Sequence, residues 1–172
     1  METTEKIVEA YVRYVKGWAT IANIKCPGQY EIDLLAIDPV GGGRYHIEST
    51  VSVSGAYSKL TAKPYSLELL KQRVKVAGQR RTIGYFAQRK FSAPGVKKTL
   101  KRYGFEKGNY EKIIVTWSAT EDARKKAKKL NIKLWYFPEL MKQIRDEIKD
   151  GKTYFVDDTL RTLHLFDKAL KV

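Results

Sequence analysis

At 172 residues, 43% of them hydrophobic and 12% aromatic, the chain is long enough to bury a core and too apolar for a disordered tail. Lys and Arg number 33 against 19 Asp and Glu, a formal net charge of +14. An excess of that size repels itself and points to a polyanionic partner, nucleic acid ahead of an anionic membrane surface. No run approaches the ~20 consecutive apolar residues of a membrane span. The start, Met1-Glu2-Thr3-Thr4-Glu5-Lys6, lacks the basic and apolar regions of a signal peptide. One cysteine, Cys26, excludes an internal disulfide framework and a Cys-based zinc site. A reducing cytoplasm fits these features.

The spacing of Ile7, Tyr11, Tyr14, Val15 and Trp18 predicts a helix over 5–18, stopped near Gly17. A strand over 19–25 follows. Pro27-Gly28 then turns the chain into a second strand over 29–38. Asp38-Pro39 and Gly41-Gly42-Gly43 make a loop into a third strand over 44–53, so these two strands form an antiparallel hairpin. A helix is expected over 66–78, between Ser66 and Gly78. Residues 82–88 read equally as strand or as helix extension, and 94–102 as a short basic helix. The apolar run 112–117 reads as a buried strand. Ser118 and Glu121 have capping-box spacing, opening a helix to about Leu130. A strand over 132–137, a helix over 139–148 and a last helix within 154–170 complete the chain. The strand–helix–strand run over 112–137 forms a crossover whose strands should be parallel and adjacent. The expected architecture is a mixed α/β sheet flanked by helices on both sides. With no repeat or linker, 1–172 reads as one domain, its core at about 5–148 and a helical extension over 149–172.

Chemistry concentrates in the hairpin. Asp33 stands between Ile32, Leu34 and Leu35, where a carboxylate is costly to bury unless paired or metal-bound. Alternation puts His46, Glu48, Thr50 and Ser52 on one face of the returning strand and Tyr45, Ile47, Val51 and Val53 on the other. Two carboxylates on adjacent strands suit a hard cation such as Mg²⁺, which prefers oxygen ligands and keeps several waters. Such an ion can activate water for phosphodiester hydrolysis. The alternative is that Glu31, Asp33 and Glu48 are solvated strand residues or partners of Lys and Arg. His46 shares the polar face but reads as structural when taken alone, and Cys26 as a small buried residue.

The stretch EIDLLAID, a Gly-rich turn and then YHIEST resembles the PD-(D/E)xK nuclease superfamily, in particular its Holliday-junction-resolvase-like and Mrr-like restriction endonuclease members. The first helix, with Glu5 and Glu9, stands where that family often supplies a further acid. The later IIVTWSATEDARKKAKKLNIKLWYFPEL is similar to the closing strand–helix–strand–helix of Mrr-like nucleases, so the resemblance covers about 5–148. It implies a restriction-endonuclease-like fold and an endonuclease that uses Mg²⁺ or Mn²⁺. Asp33 and Glu48 would be the metal-ligating acids and the main-chain carbonyl of Ser49 the third ligand. Branched or duplex DNA would be the substrate class. The family's lysine stands two residues after the glutamate; here that position is Thr50, whose hydroxyl carries no charge to replace it. Either the lysine has moved to the helix after the hairpin, where Lys63, Lys71 or Lys75 are candidates and Lys71-Gln72 the preferred pair, or catalysis is lost. The second case would leave a DNA- or RNA-binding module, acting in a repair or defence complex. Homodimers are common in the family, though the chain carries no dedicated signal for one.

Residues 79–107 hold nine basic residues, among them Arg80, Arg81, Arg89, Lys90, Lys97, Lys98, Lys101 and Arg102, against the one acid Glu106. Such a segment can track phosphates without reading sequence. Tyr85, Phe86, Phe91, Tyr103 and Phe105 are interleaved with it, and at least three of the five are expected to anchor it in the core rather than stack on bases. A second cluster, Arg124, Lys125, Lys128 and Lys129, is expected on the solvated face of the helix that starts near 121.

Overall fold

The computed structural model describes residues 2–53, 58–66, 68, 78, 80–149 and 157–170. Its strands are β1 (Ala19–Cys26), β2 (Tyr30–Ile37), β3 (Arg44–Thr50), β4 (Lys59–Leu60), β5 (Glu111–Thr116), β6 (Ser118–Ala119) and β7 (Ile132–Tyr136). Its helices are α1 (Thr3–Ala10), α2 (Ile83–Tyr85), α3 (Pro94–Arg102), α4 (Glu121–Lys129), α5 (Phe137–Lys149) and α6 (Asp158–Ala169). α1 and α2 run on into wide π turns, Tyr11–Val15 and Phe86–Lys90.

The main sheet has the order β1-β2-β3-β5-β7. β1, β2 and β3 are antiparallel neighbours, while β3, β5 and β7 are parallel. This is the expected mixed sheet, with the crossover β5–α4–β7 placing parallel strands side by side. Helices cover both faces. On one, Val8, Leu140, Ile144, Ile148 and Leu160 from α1, α5 and α6 pack on Leu34, Ala36, Ile47, Ile113 and Val115. On the other, Ile83, Phe86, Phe91, Ala123 and Ala127 pack on Ile114 and Ile132, and α3 lays Val96 and Leu100 on Ile24, Ile32 and Leu35. Gly95 lets α3 approach that closely, since a Cβ there would stand 1.9 Å from the Pro27 carbonyl oxygen. Among the described residues no helix is long and apolar enough to cross a membrane.

Several local expectations are corrected. α1 starts earlier than predicted, because Glu2 caps it in a reciprocal box with Glu5. β3 ends at Thr50, short of Val53. Residues 83–90 are helical, nucleated where the Thr82 hydroxyl accepts the Tyr85 N–H at 3.1 Å. Thr120, not Ser118, caps α4, and Ser118-Ala119 pair instead with β4. Most of the helix predicted over 66–78 lies outside the described residues. Phe86, Phe91 and Phe105 are buried anchors as expected, whereas Tyr103 faces solvent.

Candidate metal and nucleic-acid site

The sheet breaks its own regularity at Asp33. In the β1–β2 ladder Ala22 pairs Leu34 and Ile24 pairs Ile32, but Asn23 and Asp33 between them do not pair, and Asn23 takes the left-handed φ of 57°. Strict alternation would put Ile32 and Leu34 on one face; instead they pack in clusters on opposite faces. The chain therefore changes face at Asp33. The β2–β3 ladder also stops at Leu34–Ile47, one step before Asp33 would meet Glu48. The Ser49 N–H is thereby released from that ladder and donates to Asp33 Oδ2 at 2.8 Å.

The polar row of β3 is not an open face. His46 and Glu48 are fully buried beneath the 83–91 segment, and Asp33 is 9% exposed. Into this layer reaches Lys90, the last residue of the π turn. Its ammonium lies 2.8 Å from Asp33 Oδ1 and 2.5 Å from Glu48 Oε2, and donates to the Glu31 carbonyl oxygen at 3.1 Å. Glu48 Oε1 lies 2.7 Å from His46 Nε2. Burial drives the His46 pKa down to about 3, so the ring is neutral at pH 7. Above pH 7, where Glu48 is ionised and only accepts, the ring proton sits on Nε2 and donates to it. His46→Phe keeps a ring against Phe91 while deleting that donor. A loss of roughly 1–3 kcal/mol in unfolding free energy is expected, as for any stranded buried acceptor. Urea denaturation measures it, and an unchanged midpoint would show that the bond contributes nothing.

Burial raises Asp33 to about 7, reinforced by the charge of Glu48 and opposed by Lys90. Burial likewise raises Glu48 to about 7, again opposed by Lys90. Burial works against the Lys90 ammonium as well, yet Glu48 and Asp33 outweigh it and hold its pKa above the ordinary lysine range. One cation thus serves two buried anions, and the balance is completed by a proton or by more positive charge.

That deficit, and two carboxylate oxygens converging on one point, suit a hard divalent cation. Among the described residues no group of three or more His, Cys, Asp or Glu stands ready for a metal. Asp33 and Glu48 would therefore hold Mg²⁺ or Mn²⁺ with waters completing its shell, and Lys90 would have to give way. The residues fit the ion on those terms.

Asp33 and Lys90 line a cleft of about 550 Å³, with Glu5, Lys25, Glu31, Ser49, Thr50, Arg80 and Arg81 also in its wall, and Glu48 lies beneath them, fully buried. Glu5 belongs to the wall; burial raises its pKa, and the charge of Asp33 adds to the rise. Glu9 does not line the cleft, because its carboxylate accepts the Thr20 hydroxyl at 3.0 Å. Lys63 is exposed and absent from the lining. Lys71, Gln72 and Lys75 lie outside the described residues. Of the expected phosphate-tracking residues, Arg80 and Arg81 reach the cleft. Arg89 is committed to Tyr30, donating to its hydroxyl at 2.7 Å and lying 4.5 Å over its ring. Lys97 and Lys101 line a different pocket, and Lys98 and Arg102 are exposed. Sequence reasoning placed Lys90 among the surface phosphate contacts. The available local signal was the neighbouring Phe91, a large apolar residue that pins the segment to the sheet.

No protein-family model matches the chain, and no curated protein matches it. Among solved structures the chain is similar to the crystal structure of a protein of unknown function, with 19% identity and a TM-score of 0.50 over 94% of this chain and 78% of that one. It also matches a repair endonuclease from Pyrococcus abyssi, with 16% identity and a TM-score of 0.40 over 79% of this chain and 47% of the other. What the first of these shares with the chain is its fold.

Proposed function

We propose that the chain is a divalent-metal-dependent DNA endonuclease of the PD-(D/E)xK type, acting on duplex or branched DNA. The observation that carries this reading is the convergence of Asp33, Glu48 and the Lys90 ammonium at a cleft bordered by Arg80 and Arg81. Asp33 and Glu48 would hold Mg²⁺ or Mn²⁺, and Ser49 follows them in the family's pattern of ligands. When bound, the ion supplies a lowered pKa for an attacking water and stabilises charge on the phosphate. Lys90 supplies from another element the charge that Thr50 lacks, beside the same two acids. Arg80 and Arg81 offer phosphate contacts at the cleft, and Glu5 an accessory carboxylate. His46 positions Glu48.

A labelled panel of linear, branched and single-stranded DNAs, incubated with Mg²⁺ or Mn²⁺, tests the proposal. Cleavage is expected, and Asp33→Ala and Glu48→Ala should each reduce it by about 100-fold or more, as losing transition-state charge stabilisation does. Undiminished cleavage in both variants would sink the assignment. The second reading, a silent DNA- or RNA-binding module on the same scaffold, is favoured by Lys90 already occupying the point between the acids. It predicts salt-sensitive binding with no cleavage of any substrate.

A further inference from the structure

Beyond the cleft lies a second pocket, of about 520 Å³, among whose lining residues are Lys97, Lys101, Lys107 and Lys112. None of these four lysines has an ion-pair partner among the described residues, and Glu106 is the single acid in the lining. The wall behind them is apolar: Phe91, Leu100 and Phe105 are buried, and the Tyr110 ring lies 5.9 Å from the Phe105 ring. Lys112 is half-buried, and its pKa is lowered by that burial and by the Lys97 charge. Lys97, Lys101 and Lys107 stand exposed around the half-buried Lys112, and an anion bound among them would offset the repulsion between Lys97 and Lys112.

The placement relative to the cleft is also informative. Lys112 pairs with His46 in the β3–β5 ladder, and Ile114 with Glu48, so Lys112 lies on the same sheet face as the buried acid, two residues along. The 86–91 segment divides the two sites: Phe86 and Lys90 line the cleft, and Phe91 lines the pocket.

We propose that this pocket binds a backbone phosphate of the nucleic-acid strand engaged by the Asp33–Glu48–Lys90 cleft, as a second anchor on the far side of the 86–91 segment. The inference rests on the nucleic-acid reading above and extends it.

The test uses a labelled 30-base-pair duplex in EDTA, with affinity measured by fluorescence anisotropy across a salt series. Two double variants alter net charge equally: Lys97→Glu with Lys101→Glu inside the pocket, and Lys142→Glu with Lys149→Glu at exposed positions of α5, which packs on the opposite face of the sheet. The pocket pair should weaken binding by about tenfold and flatten the salt slope by about one phosphate contact or more. The outside pair should change affinity by about twofold or less. Lys97→Gln with Lys101→Gln, which preserves helix propensity, should move affinity the same way at an unchanged thermal midpoint. Equal losses in the two charge-reversed pairs would reduce the effect to overall charge and overturn the pocket. With free dAMP titrated separately, a loss in the pocket pair for dAMP but not for the duplex would overturn the assignment to a strand. Wild-type protein that binds no nucleic acid would overturn the functional reading itself, whereas tight wild-type binding that the pocket variants leave intact would overturn only this inference.

Discussion

Lys90→Met is expected to tighten divalent-ion binding while reducing DNA cleavage by about 100- to 1,000-fold, two effects of opposite sign from one substitution. The side chain stays unbranched and only one atom shorter while losing its charge, so packing beneath the cleft changes little. In the wild-type protein the ammonium lies within 2.8 Å of both carboxylates, where an incoming cation must compete with it. Removing it opens that position and removes the repulsion between two cations, so Mn²⁺ affinity, read by calorimetry or by the spin signal of free Mn²⁺, should rise about tenfold or more. Cleavage should fall because no other lysine or arginine forms an ion pair with either acid among the described residues. Full cleavage by the variant would remove Lys90 from the chemistry and make it a structural counter-ion. Weaker Mn²⁺ binding would overturn the competition, and leave Lys90 as a group that organises the acids for the metal.

This residue also marks the limit of what the chain reveals before folding. The hairpin was legible because its signals are local: a period-two apolar pattern, a Gly-rich turn, and an acid where an apolar residue would otherwise stand. The crossover over 112–137 was legible for the same reason. Lys90 was not, because it sits 42 positions after Glu48, in a run where Arg89, Lys97 and Lys98 look equally basic. What separates it from them is a π turn: the Phe91 N–H bonds to the Phe86 carbonyl oxygen and shifts the phase of the last turn so that Lys90 points inward while Arg89 meets Tyr30. A wide turn of this kind has no strong sequence signature. Nor has the face change at Asp33, which follows from the unpaired Asn23–Asp33 step. Alternation assigns Glu48 to a polar face correctly and misses that the 83–91 segment buries His46 and Glu48 on it, leaving Thr50 at the cleft. The misplacement of Glu9 has a simpler origin: the resemblance places an acid on the first helix without saying which, and it carries no information about the Thr20 hydroxyl that donates to Glu9.

The same buried charges make stability fall as pH rises. Asp33 and Glu48 have folded pKa values raised to about 7, above ordinary carboxylates near 4. The folded state thus binds protons more tightly than the unfolded one between these values. The contribution of both acids is greatest below about pH 4, declines through pH 7 and is level above it. Lys90, raised above its ordinary value, contributes its full share across this window and loses it only in strong alkali. Asp33→Asn imitates the protonated acid: its amide oxygen can accept one bond, and Glu48 is left paired one-to-one with Lys90. The variant should match wild type near pH 4 and exceed it by roughly 1–3 kcal/mol at pH 8, since each pKa unit is worth about 1.4 kcal/mol and relaxation removes part of it. Taking the difference between the two proteins cancels the pH dependence of the +14 net charge, which acts on both. Adding Mg²⁺ at pH 8 should reverse the order, because an ion bound only by the folded wild type adds about 4.1 kcal/mol at one thousand times its Kd. Urea unfolding at both pH values, with and without the ion, measures all four states. A wild type that gains stability relative to Asp33→Asn between pH 5 and 8 without metal would show that Lys90 alone neutralises both acids. The charge deficit that argues for a second cation would then not exist.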